Sequence, residues 1–149
     1  MPAMKTFLSR RSFTALAGLA LLAPLAGRAQ GKAAAERYKV VLQVSDADPA
    51  KWNLALNNAN NIQHDLGKEN VQIEIVAYGP GLPMLKADSK VHDRLAQALD
   101  SSIGLMACEN TMRNTKVSKD QMYAGIAYVD AGVVHIMKRQ REGWAYIRP

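Results

Sequence analysis

Apolar residues recur along the chain in two rhythms that take turns. Tyr38-Lys39-Val40-Val41-Leu42-Gln43-Val44 is a β-branched run and predicts a strand. Trp52, Ala55, Leu56, Ala59, Ile62 and Leu66 then fall on one helical stripe. Asp48 can cap that helix, Pro49 suits its first position and Gly67 its stop. Residues 71–78 predict a second strand, alternating at first and apolar later, and Gly79-Pro80-Gly81-Leu82-Pro83 a rigid turn after it. Residues 89–99 carry Val91, Leu95, Ala98 and Leu99 at helical spacing. Residues 103–107 are an apolar run too short for a buried helix, and they suit a strand buried on both faces. A loop is expected after Cys108. Ser118-Lys119-Asp120-Gln121 has the form of a capping box and predicts a short helix over residues 119–124. A strand over 126–129, a helix over 132–142 and a strand over 144–147 complete the pattern.

Strands and helices alternate throughout, with connections that demand parallel pairing and right-handed crossovers. The expected fold is a three-layer α/β/α domain with a five-stranded parallel sheet, Rossmann- or flavodoxin-like. Two glycines after a strand invite a phosphate-loop reading, but neither GxGxxG nor a P-loop pattern is present.

The first residues follow neither rhythm. Lys5, Arg10 and Arg11 form a positive region, residues 12–26 are apolar or small, and Gly27-Arg28-Ala29 is a small-x-small cleavage site. Ser9-Arg10-Arg11-Ser12-Phe13 resembles a twin-arginine export signal. A bilayer span needs about 20 apolar residues, and this segment is shorter and interrupted by Pro24. The expected organisation is a signal peptide over 1–29, a linker over 30–37 and a domain over 38–149, placed in the periplasm with no membrane span once the signal is cleaved. This changes the charge. The whole chain carries a formal +6, but the signal holds four of its 19 basic residues and no acidic one, which leaves 15 against 13 and a net +2. The basic excess is largely the export signal, so it does not argue for a nucleic-acid partner.

The expected chemistry centres on Cys108, the one cysteine of the chain. It can form no internal disulfide, and it falls where a strand ends, outside which open α/β sheets bind ligands. A thiol must ionise to react. Arg113, Lys116 and Lys119 are expected to favour the thiolate, and Glu109 to oppose it if it faces the same way. Cys108 can equally be a small buried apolar residue. His64, His92 and His135 read as surface or half-buried histidines rather than catalytic bases, and they share no metal-ligand spacing. Cys108 and Met112 alone would make a thin Cu(I) site. No metal and no cofactor is expected.

Four stretches carry a family resemblance: the opening strand with Asp48-Pro49 and its Asn-rich helix; Val76-Ala77-Tyr78-Gly79-Pro80-Gly81; Leu105-Met106-Ala107-Cys108-Glu109-Asn110-Thr111-Met112; and Gly132-Val133-Val134 through Gln140 to Pro149. In order and spacing they are similar to the DsrE/DsrF-like superfamily. The resemblance implies a sulfur carrier or sulfurtransferase-like protein that holds sulfane sulfur as a persulfide on Cys108, with Asn110, Thr111, Arg113 and Lys116 as binding residues. It also implies a homo-oligomer (dimer, trimer or hexamer) with a periplasmic sulfur donor or acceptor as partner. The other expectation is a non-catalytic oligomeric binding or scaffold protein with a buried, inert Cys108.

Overall fold

The computed structural model describes residues 37–149. The expected signal peptide and nearly all of the expected linker lie outside them. Five strands form one sheet: β1 (Tyr38–Val44), β2 (Val71–Ala77), β3 (Gly104–Cys108), β4 (Ala127–Val129) and β5 (Ala145–Ile147). Every pairing is parallel and the order is β4-β3-β2-β1-β5. The expected α/β/α architecture is therefore observed.

The helices are α1 (Pro49–Leu66), α2 (His92–Asp100), α3 (Glu109–Thr115) and α4 (Gly132–Arg141). α1 starts and stops as its sequence demands, with the Asp48 carboxylate accepting from the Ala50 amide and Gly67 closing the helix at φ 87°. α2 starts at His92 rather than residue 89, because Ser89 forms a turn of its own and accepts from the Val91 amide at 3.3 Å. Two further corrections concern the segment after β3. The expected loop after Cys108 is the helix α3, and the helix expected over 119–124 is one 3-10 turn, Lys119–Gln121. The Ser118/Gln121 capping box is present there.

Strand order determines how the two faces of the sheet are covered. The chain steps from β1 to β2, β3 and β4 in one direction, then returns across the sheet to β5. Right-handed crossovers put connections of opposite direction on opposite faces. The larger core, which includes Leu42, Leu56, Ile75, Leu85, Leu95 and Leu105, lies on the face covered by α1 and α2. The other face holds a small core of Val41, Val76, Ile136 and Trp144 under α4. Beside it sits a buried charge. Glu74 on β2 is 3% exposed and accepts from Arg139 through both oxygens (2.9 and 2.7 Å) and from His135 Nε2 at 2.7 Å. A buried carboxylate needs such partners to be tolerated. This cluster ties α4 to the sheet.

The Gly-Pro turn after β2 is the 3-10 segment Gly79–Leu85. A Cβ at Gly81 would overlap the Val44 carbonyl. Close passage of the backbone past the end of β1 thus accounts for that glycine, with no phosphate involved.

Candidate functional site at Cys108

Cys108 is both the last residue of β3 and the N-cap of α3. The cap position normally takes an oxygen that accepts from the next turn's amides. Here the sulfur does so, accepting from the Thr111 N–H at 3.4 Å. It also accepts from the Gly132 N–H at 3.2 Å, the first amide of α4. Two helix starts therefore converge on one sulfur.

Neighbouring strand ends hold this arrangement. The Asn110 N–H donates to the Asp130 carbonyl at 2.9 Å, fastening α3 to the β4–α4 junction. The Gly79 N–H donates to Thr111 Oγ1 at 2.9 Å, fastening it to the end of β2. Register extends the site sideways. Ala77 pairs with Ala107, Val44 with Ala77 and Cys108 with Val129. Ser45, Tyr78, Cys108 and Val129 thus form one row along the carboxyl edge, on the face covered by α4.

Burial raises the pKa of the thiol, since Cys108 is 4% exposed. The Thr111 hydroxyl and the amides of Gly132, Thr111 and Asn110 lower it, and they prevail: Cys108 ionises below its ordinary value of 9.0. The Asn110 amide contributes least; its own hydrogen bond goes to Asp130. Tyr78 shifts the other way. Burial and then Tyr146 raise its pKa, Arg148 and Ser45 oppose them, and Cys108 adds a further small rise.

Of the residues expected at the site, Thr111 is brought to the sulfur by both its amide and its hydroxyl. Asn110 contributes its backbone, while its side chain lies on the exposed face of α3. Arg113 and Lys116 are elsewhere. They line an open pocket of about 280 Å³ together with Glu109, Met112, Val117, Ser118 and Lys119, and neither is among the groups with the largest effects on the thiol. The thiolate is favoured by dipoles rather than by these cations. Glu109 is turned to Lys119 at 2.7 Å, and Lys119 also lies 4.5 Å over the Tyr128 ring. The pair holds the Glu109 carboxyl below its ordinary range. The acid expected to oppose the thiolate is thereby engaged away from it.

No hydrogen bond joins His64, His92 or His135 to Cys108 among the described residues; His135 is committed to Glu74. Nor do the described residues hold a group of three or more His, Cys, Asp or Glu able to bind a metal. Met112 is packed in the larger core. The functional residues that sequence patterns missed are Gly132 and Tyr78. A Cβ on Gly132 would be a tight fit, 3.0 Å from both Cβ and Cδ1 of Tyr78. No local motif flags either residue, because each acquires its role only through strand register.

Among the described residues no helix is long and apolar enough to cross a membrane. No family model and no curated protein matches the chain. A solved structure does: that of MTH1491 from Methanobacterium thermoautotrophicum, described as a protein of unknown function. It is 38% identical to this chain with a TM-score of 0.72, over 75% of this chain and 99% of that one. At that identity and coverage, the chain belongs to the same protein family as MTH1491.

Proposed function

We propose that the protein is a DsrE/DsrF-like sulfur carrier, exported to the periplasm by the twin-arginine route, that holds sulfane sulfur as a persulfide on Cys108. The observation that carries this reading is the pair of helix-start amides, Thr111 and Gly132, donating to one sulfur. Such donors stabilise an anion where a thiol alone would not ionise readily. In the step envisaged, the Cys108 thiolate attacks a terminal sulfur of an inorganic polysulfide. The S–S bond of the polysulfide breaks, its shortened chain leaves with the electron pair, and Cys108 is left as a persulfide anion.

The test is mass spectrometry of the intact protein after incubation with polysulfide. A gain of one sulfur atom on Cys108, absent in Cys108→Ser, is expected. An unmodified wild-type chain under conditions that persulfidate a free cysteine peptide would sink the reading.

Burial of Cys108 favours a second reading, a non-catalytic scaffold with an inert thiol. Failure of any thiol reagent to label the folded protein, with prompt labelling in denaturant, would select it. Both readings include self-association. It is supported by Val133, Val134 and Met137, which stand 59%, 40% and 53% exposed on α4. The partner in the first reading is a periplasmic sulfur donor or acceptor.

A further inference from the structure

A carrier must load its sulfur from outside, yet Cys108 is 4% exposed. Its cover can be named from the register. Val129 on β4 is its paired neighbour, and on the other side Tyr78 is the residue just past the end of β2, next to Ala77, the partner of Ala107. Above it lies Gly132, whose missing side chain makes room for the Tyr78 ring. The Tyr78 backbone is pinned on both sides: its N–H donates to the Val44 carbonyl at 3.1 Å and the next N–H to Thr111 Oγ1 at 2.9 Å. The Tyr78 hydroxyl is electrostatically coupled to Tyr146, Arg148 and Ser45. Ser45 and Tyr146 are themselves tied together through Gln43: Gln43 Nε2 donates to Ser45 Oγ at 2.9 Å, and the Tyr146 hydroxyl donates to Gln43 Oε1 at 2.6 Å. An aromatic side chain with a pinned backbone therefore packs against Gly132, the residue whose N–H donates to the sulfur.

We propose that Tyr78 is a specificity-determining residue that sets the size of what reaches Cys108. Narrow inorganic polysulfide anions pass, and aromatic or peptide-sized disulfides are excluded. The proposal rests on the reading of Cys108 as a sulfur acceptor. A size filter of this kind also spares the thiol from mixed-disulfide formation in an oxidising compartment.

The experiment compares two reagents on the folded protein. One is small, methyl methanethiosulfonate, from which the Cys108 thiolate displaces methanesulfinate. The other is broad, the aromatic disulfide dithiobis-nitrobenzoate, from which it displaces thionitrobenzoate. Each rate is divided by that of a free cysteine peptide. The expected result for wild type is a preference for the small reagent of about tenfold or more, the factor that ~1.4 kcal/mol of opening free energy represents. Tyr78→Ala abolishes this preference, and Tyr78→Val does so if the alanine variant folds poorly. Ser45→Ala, which loosens only the tip, reduces it in part. A wild-type preference no greater than the peptide's would overturn the proposal, as would one that survives in both Tyr78 variants. No sulfur donor enters these rates, so they stand apart from the persulfide measurement. A protein with the filter but no persulfide loses only the carrier reading.

Discussion

The two faces of the sheet are built on different principles. One is a continuous apolar core shared by β1–β3, α1 and α2. The other has one helix, four buried apolar residues, a buried carboxylate held by Arg139 and His135, and the cysteine at its edge. The first face is held by burial, which is non-directional. The second is held by directed bonds, which fix α4 in place, and the first amide of α4 faces the sulfur. Stability and chemistry are thus largely assigned to opposite sides of one sheet.

Substitutions can separate the two. Leu42→Ala removes a fully buried side chain from the larger core and should cost about 3 kcal/mol in denaturant unfolding. The thiol titration of the folded fraction should not move. Arg139→Met on the other face leaves Glu74 with His135 alone, at a cost of about 2 kcal/mol, below the usual figure for a broken buried pair because one partner remains. Here the thiol should respond, because α4 carries the Gly132 amide. An unmoved titration in Arg139→Met would show that the cluster does not position the site. Gly132→Ala should cost only about 1 kcal/mol of overpacking against Tyr78. It displaces the amide from the sulfur and should raise the thiol midpoint more than either substitution above. At the small end, Met137→Ser on the exposed side of α4 should change stability of the monomer by less than about 0.5 kcal/mol. Its effect should appear in the association state, measured by sedimentation.

The second face was also the harder one to read from sequence. β1, α1 and β2 announce themselves, because period-2 and period-3.6 runs with Asp48, Pro49 and Gly67 as punctuation follow from local physics. α3 does not. Glu-Asn-Thr-Met-Arg-Asn-Thr is polar and seven residues long, and its cap is a thiol rather than Ser, Thr, Asp or Asn. Missing that helix misplaced the cations. Arg113 lies one turn from Glu109, on the face turned to the open pocket rather than to the sulfur. Cys108 itself was legible as the place to look, since it ends a buried strand. Its partners were not. Gly132 and Tyr78 lie 24 and 30 positions away in sequence; only once the strands are in register does Gly132 reach the sulfur, with Tyr78 packed against it.

The central claim is that backbone amides make the site hospitable to anionic sulfur. It is tested most directly by the thiolate ultraviolet absorbance of wild type minus Cys108→Ser, followed against pH, the subtraction removing the tyrosines. The midpoint should lie below 9.0. Because the folded pKa is the lower one, the thiolate's contribution to stability is complete above the unfolded value and is lost as pH falls through the folded one. The wild-type advantage in unfolding free energy over Cys108→Ser should therefore grow with pH across that interval. A midpoint at or above 9.0, with an advantage that stays flat or shrinks, would contradict the account.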